Sequence, residues 1–324
     1  MNKRFLLSLA RFIISASLII FLLSRANLPQ LYAELKSASM WLFLVALLLG
    51  FCVLLVSAIR WYVMLRTKGI RISLSALTYF YLVGSFFNSI LPTVLGGDVM
   101  RGYELARATG RSLDSASTVL MERIVAFFAL FVICWVALPF GYQRLQGTNV
   151  LSVVVAMSIG FILFALLILN RRIMGRLISL TSFIKRWNVQ VRLQAAFESL
   201  HSLAESRLLL FNAFVISLIA QFIAIFSTYC ISRALDVDVP FTYFLIIMPL
   251  IWVITMIPVS ISGIGVREGA FVLFFTQQGV ARERALALSL LVFAVTVATG
   301  IVGGVIYAWG GYRKHNNWPR SGQI

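Results

Sequence analysis

The chain has 324 residues, of which 60% are hydrophobic and 12% charged, and its mean hydropathy is +0.94. That balance excludes a soluble globular domain and specifies a polytopic membrane protein. The formal net charge of +17 does not point to nucleic acid. The basic residues fall in short loops beside apolar spans, where they orient a membrane protein and attract anionic lipid.

In chain order, apolar segments fall near 5–24, 40–59, 74–95, 117–140, 150–170, 208–232, 241–258, 266–279 and 285–309. Several approach the ~20 residues that cross a ~30 Å hydrocarbon core. The first segment follows Lys3 and Arg4, is interrupted by Arg11 and has no convincing small-x-small cleavage site. It reads as an uncleaved span. The segment 266–279 is too short to cross alone. Between 171 and 207, Leu193, Phe197 and Leu200 share one helical face among several basic residues. This predicts a cytoplasmic amphipathic connector at the inner membrane surface, with a solvated connector as the alternative. Residues 1–312 form one transmembrane domain and 313–324 a short basic tail. Cys52, Cys134 and Cys230 lie in apolar segments and read as reduced packing residues. His201 and His315 are far apart, so no metal or cofactor is expected.

Loop charge selects which segments cross. If 74–95 is a re-entrant hairpin entered from the cytoplasm, and 241–279 one entered from the opposite side, six segments span fully. Twenty of the 28 basic residues, Arg60 among them, then fall inside and seven outside, with Arg123 within a span. This bias predicts both termini in the cytoplasm. The expected architecture is all-α, with about six full spans and two broken hairpins related as an inverted repeat.

Both hairpins break at proline and run through glycine into charge. The first carries Asn88, Pro92, Gly96, Gly97, Asp98 and Arg101; the second carries Pro258, Ser260, Gly263, Gly265, Arg267 and Glu268. Such breaks leave backbone groups unsatisfied in hydrocarbon unless protein or water covers them. A matching pair in two halves of a chain points to a transport site. Asp98 suits the N-cap of a helix near 98–108, whose N-terminus attracts anions, with Arg101 one turn in. Glu122 and Arg123 open the apolar part of the span 117–140, where charges should face the bundle interior and pair. Together Arg101, Arg123 and Arg267 stand against Asp98, Glu122 and Glu268, with Glu104 a turn beyond Arg101; such near-neutrality suits a buried network. The competing structural readings are a helix cap at Asp98, an interface pair at Glu122-Arg123 and a salt bridge at Arg267-Glu268. Gly300, Gly303 and Gly304 read as a helix-packing face, within the chain or in a homodimer. Gln221 and Tyr229 are candidates for a cavity wall or an interhelical hydrogen bond.

This set of residues, spread over roughly 5–312, resembles the family named for the lysylphosphatidylglycerol synthetase transmembrane region. These are flippase-like proteins similar to the flippase part of multiple-peptide-resistance factors. The resemblance implies a bacterial-type cytoplasmic membrane protein that moves an anionic phospholipid or a polyprenyl-phosphate-linked lipid between leaflets. Full-length synthetases also carry an aminoacyl-transferase domain. The chain ends soon after its last span, so that activity is not expected and no catalytic residue is assigned. Two alternatives are weighed. An intramembrane enzyme on lipid-linked phosphate or sugar lacks a histidine near the charged cluster. A non-transporting partner of a lipid-synthesis complex is compatible with the basic inner surface.

Overall fold

The computed structural model describes residues 3–91, 96–145, 150–170, 172–173, 197–203, 206–257 and 259–309. Pro92, Pro258, most of the connector 171–207 and the tail 313–324 lie outside the described residues. Among those described, every regular element is helical. They are α1 (Lys3–Ser24), α2 (Leu28–Ser37), α3 (Met40–Thr67), α4 (Leu74–Ile90), α5 (Gly96–Thr109), α6 (Ser112–Leu145), α7 (Val150–Leu169), α8 (Arg207–Ala234), α9 (Phe241–Met256), α10 (Val266–Thr276) and α11 (Arg282–Ala308). A single 3-10 turn, Ile261–Gly263, separates α9 from α10.

Helices α3, α6, α7, α8 and α11 are long and apolar enough to cross a membrane, and α1 with α2 makes a sixth span if that pair, bent by 90°, counts as one. The bend is written locally. Asn27 accepts from the Gln30 amide and Pro29 sits in the first turn of α2, where its missing N–H costs nothing. Sequence hydropathy gave no separate element here, because α2 is only weakly apolar and is held by the buried Leu31.

Hydrogen bonds fix the ends of the bundle. At one end, Arg111 Nη1 donates to the Lys68 carbonyl, and Lys68 Nζ donates to Ser199 at 2.6 and 2.9 Å. At the other, the Ser39 amide donates to the Ala234 carbonyl, Arg284 grips Glu34 through two bonds of 2.9 and 3.0 Å, and the Asn27 amide donates to Glu283. Helices α4 and α5 pack along each other and root at the Lys68 end; α9 and α10 root at the Ser39 end, with Tyr243 donating to the Phe274 carbonyl at 2.7 Å. Two hairpins therefore enter from opposite ends, as the charge pattern required.

Close approach holds them in place. In a bilayer, packing and interhelical hydrogen bonds drive association, because lipid is as apolar as leucine. A Cβ on Gly97 would fall 2.1 Å from the Gly84 carbonyl oxygen, and one on Gly303 would fall 2.0 Å from that of Leu82. The glycine face of α11 is thus occupied by α4 within the chain, with Gly300 against Ser85 and Ser89 and Gly304 against Phe86. Trp61, Leu77, Phe80 and Leu105 form the core joining α3, α4 and α5. A larger core around Phe244, Phe271 and Phe275 seats the second hairpin.

Two assignments need correction. Arg60, counted with the loop cations, lies inside α3, which runs on to Thr67, and it is 6% exposed. The apolar run Trp61–Leu65 behind it carries the helix past the charge. Arg267, counted in an outer loop, likewise sits at the start of α10, inside the second hairpin.

Candidate functional site

The hairpin tips meet. The Gly97 amide donates to Asn88 Oδ1 at 2.7 Å, closing the first tip. Ser262 Oγ donates across to the carbonyls of Asn88 (3.2 Å) and Leu91 (2.8 Å), joining the second tip to the first. The reversal at 262–265 needs left-handed backbone: φ is +50° at Ser262, +74° at Gly263 and +85° at Gly265. Glycine adopts such angles freely; serine does so at a cost that its two hydrogen bonds offset. Gly265 also lets α1 approach, since a Cβ there would sit 2.6 Å from that of Leu18.

Beside the first tip lies a connected charge network drawn from three helices and extended to two more. Glu122 on α6 is fully buried. It accepts from Arg60 of α3 (Nε 3.0 Å, Nη2 2.9 Å), from Arg101 of α5 (Nη1 2.6 Å) and from the Tyr81 hydroxyl of α4. Arg101 Nη2 continues to Asp98 at 3.0 Å, and Asp98 reaches Arg123 Nε at 2.5 Å. Arg60 Nη1 ends the chain on Ser217 Oγ of α8 at 3.0 Å. The Arg101 guanidinium also lies over the rings of Tyr81 (4.5 Å) and Trp61 (5.2 Å). Those aromatic faces stabilise a cation where water is scarce.

Helical rise locates these groups in depth. At ~1.5 Å per residue, Arg60, Arg101 and Arg123 lie about 10–16 Å in from the Lys68 end of their helices. Arg267 lies about 14 Å in from the Ser39 end of α10 on the same measure. Both distances are near half of a ~30 Å core.

The second hairpin holds a local pair. Glu268 is 3% exposed. Its Oε2 accepts from the Gly265 amide at 2.6 Å, closing the N-terminus of α10 as a capping box does. Its Oε1 accepts from Arg267 Nε at 3.0 Å, with Ser289 Oγ at 3.5 Å. The Arg267 guanidinium stacks over Phe293 at 4.3 Å.

Two adjoining cavities open onto these groups. One, of about 380 Å³, is walled by Arg60, Tyr81, Gly97, Asp98, Arg101 and Arg123 among others. Its neighbour, of about 390 Å³, is walled by Arg123, Ser262, Arg267 and Phe293 among others, and Asn88, Arg123, Gln221 and Trp252 are among the residues the two share. Of the residues singled out in the sequence, Asn88, Gly97, Asp98, Arg101, Arg123 and Arg267 line a cavity. Glu122 and Glu268 stand behind that wall and hold its arginines. Gly96, Gly263 and Gly265 shape the tips. Ser260 is buried, lines neither cavity, and its hydroxyl has no hydrogen-bond partner among the described residues. Glu104 is buried and makes no hydrogen bond to the network; its Oε2 is unpartnered. Gln221 lines both cavities and donates to the Ala126 carbonyl at 3.3 Å. Tyr229 instead packs among Phe226, Phe241 and Phe244.

Sequence reasoning missed Arg60, Tyr81, Trp61 and Ser217. A signal existed for two of them. Arg60 interrupts an apolar run, and Tyr81, Gly84, Ser85 and Asn88 share one face of α4 at helical spacing. Adding Arg60 changes the charge count. Arg60, Arg101 and Arg123 face only Asp98 and Glu122, leaving one positive charge in excess at the first cavity. Such a wall favours a ligand that brings a compensating negative charge and several acceptor oxygens.

The chain matches the family described as the lysylphosphatidylglycerol synthase TM region over residues 8–304. It is similar to a UPF0104 membrane protein of Methanothermobacter thermautotrophicus, 25% identical over 266 residues, which cover 76% of this chain and 79% of that protein. No solved structure matches it.

Proposed function

This chain belongs to the lysylphosphatidylglycerol synthase TM region family, and from that premise we propose that it translocates an anionic lipid between the leaflets of the cytoplasmic membrane. The observation that carries the reading is the cavity wall of Arg60, Arg101 and Arg123, one charge in excess over its acids, where the two hairpins touch. A phosphate-bearing head group supplies the missing negative charge and the acceptors. Its substrate is a phospholipid or a polyprenyl-phosphate-linked lipid, whose apolar chains stay in the bilayer while the head group crosses. Glu122 and Asp98 keep the guanidinium groups oriented in the empty site, so the head group meets preorganised donors. Exchange of access comes from rocking one hairpin against the other about their shared tip. In this reading the chain is a transporter with both termini in the cytoplasm.

The test is a leaflet-exchange assay. Purified protein in phosphatidylcholine vesicles is given fluorescent phosphatidylglycerol, and dithionite quenching follows its exchange. Wild type accelerates exchange over empty vesicles. Arg101→Ala and Arg267→Ala, inserted and monodisperse, slow it at least about tenfold, the consequence of losing a charge-assisted hydrogen bond. Exchange at the wild-type rate in both variants overturns the site; no acceleration by wild type for any anionic lipid overturns the function.

A further inference from the structure

Each cavity is built on a different hairpin, and the hairpins enter from opposite ends. The first takes its cations from α3 and α5, with Arg101 Nε unpartnered although the residue is 4% exposed. The second takes Arg267 from α10 and is covered on one side by Phe293. Between them stands a waist that includes Asn88, Gln221, Trp252 and Arg123, four of the seven residues common to both walls. Arg123 is the guanidinium that faces both cavities. Its side chain is 33% exposed, against 5% for Arg101 and 14% for Arg267, and the bond that holds it runs to Asp98. Asp98 is itself divided between Arg101 and Arg123. An anion arriving beside Arg101 therefore competes with Asp98 for Arg123.

We propose that the two cavities are successive stations on one head-group path, and that Arg123, released from Asp98, hands a phosphate from the Arg60–Arg101 station through the Gln221–Trp252 waist to the Arg267 station. This rests on the translocation reading above, but it adds something that reading does not require. A single pocket exposed alternately to each side would have one binding position and no internal transfer. Here the cations lie in two groups beside hairpins that enter from opposite ends, with one less buried cation between them. No bond is made or broken in the transfer; the phosphate exchanges one set of hydrogen-bond donors for another.

Two variants at the waist decide the matter. Gln221→Trp plugs the passage and leaves both arginine groups untouched. Arg123→Gln removes the carrier. Phosphatidylglycerol retained per chain is measured by native mass spectrometry, and leaflet exchange by the dithionite assay. Two stations predict exchange slowed at least about tenfold in both variants, with retention within about twofold of wild type in Gln221→Trp and lowered in Arg123→Gln, which also removes the excess charge of the first wall. Exchange at the wild-type rate in Gln221→Trp overturns the path. Loss of retained lipid together with exchange in Gln221→Trp overturns it too, because it places the one binding position at the waist. If Arg123→Gln does not insert, Gln221→Trp decides alone. Inorganic phosphate is the control for source: if it displaces the lipid from wild type at equal concentration, the stations belong to the free anion. Wild type that retains lipid without exchanging it sinks the translocation reading, and the path with it.

Discussion

The two hairpins carry the same residue types and use them differently. In the first, Arg101 reaches no acid at a neighbouring position; its partners are Asp98 one turn back and Glu122 on another helix, and Glu122 also holds Arg60 and Tyr81. In the second, Arg267 pairs with the next residue, and that acid caps its own helix. The first arrangement exists only when α3, α4, α5 and α6 are assembled. The second forms wherever the turn 263–265 forms. A charged cluster in a membrane protein can thus be a property of the bundle or of one turn, and the two should respond differently to the loss of a single carboxylate.

The largest expected effect tests that difference directly. Glu122→Gln leaves the buried Arg60 without its carboxylate, and breaking a buried pair from one side typically costs roughly 3–5 kcal/mol. Glu268→Gln keeps an oxygen for the Gly265 amide and leaves Arg267 beside a cavity, so about 1–2 kcal/mol is expected, one charge-assisted bond becoming neutral. Thermal unfolding of the two variants in the same detergent compares them. Equal losses would show that both clusters are local. The contrast sharpens with double-mutant cycles. Coupling between Glu122 and Arg60 should exceed that between Glu268 and Arg267, because the first pair is the more deeply buried and joins two helices.

A middle-sized effect separates packing from charge. Gly303→Ala places a methyl against the Leu82 carbonyl, where 2.0 Å is available. Backbone must move, and overpacking of this kind costs about 1–3 kcal/mol. The first hairpin is the one displaced, since α4 is its outer arm. Lipid exchange should fall with stability in Gly303→Ala, whereas Gly269→Ala, which meets nothing within 4 Å, should leave both unchanged.

The same contrast explains what the sequence revealed. Spans are legible because ~20 apolar residues have few other uses. Both hairpins are legible because Pro92, Gly96 and Gly97, and Pro258, Gly263 and Gly265, interrupt apolar runs that would otherwise continue. The Arg267–Glu268 pair is legible because its partners are adjacent. Arg60, Tyr81 and Ser217 are not, since Arg60 and Tyr81 bond Glu122 on another helix, Ser217 bonds Arg60 across helices, and no local pattern shows which groups pair. Hydropathy also stopped α3 at residue 59, treating Arg60 as the edge of the membrane. A buried cation paired across helices looks the same in sequence as a cation at the interface. The weakly apolar α2 was lost for a related reason: its Asn27 cap and Pro29 mark a helix start, but only the fold shows what it rests on.

The smallest effect probes the joint between the two regions. Ser262 Oγ bonds the Asn88 and Leu91 carbonyls, so it is a tie between hairpins that are otherwise separate in sequence. Ser262→Ala removes a neutral side-chain bond near the cavity, worth about 1 kcal/mol, and thermal unfolding should move little. Serine and alanine each carry an unbranched Cβ, so they start from about the same strain in the left-handed backbone at this position. If the tips stay together through the cycle, exchange is insensitive to the change. If they part when the hairpins rock, the tie resists opening, and its removal raises the exchange rate by roughly fivefold, the factor corresponding to about 1 kcal/mol on a barrier. Faster exchange at nearly constant stability is the expected outcome, because a bond that joins two elements entering from opposite ends must be strained or broken by any relative motion between them. An unchanged rate would mean that the hairpins move as one body, and the contrast between them would then be one of assembly alone.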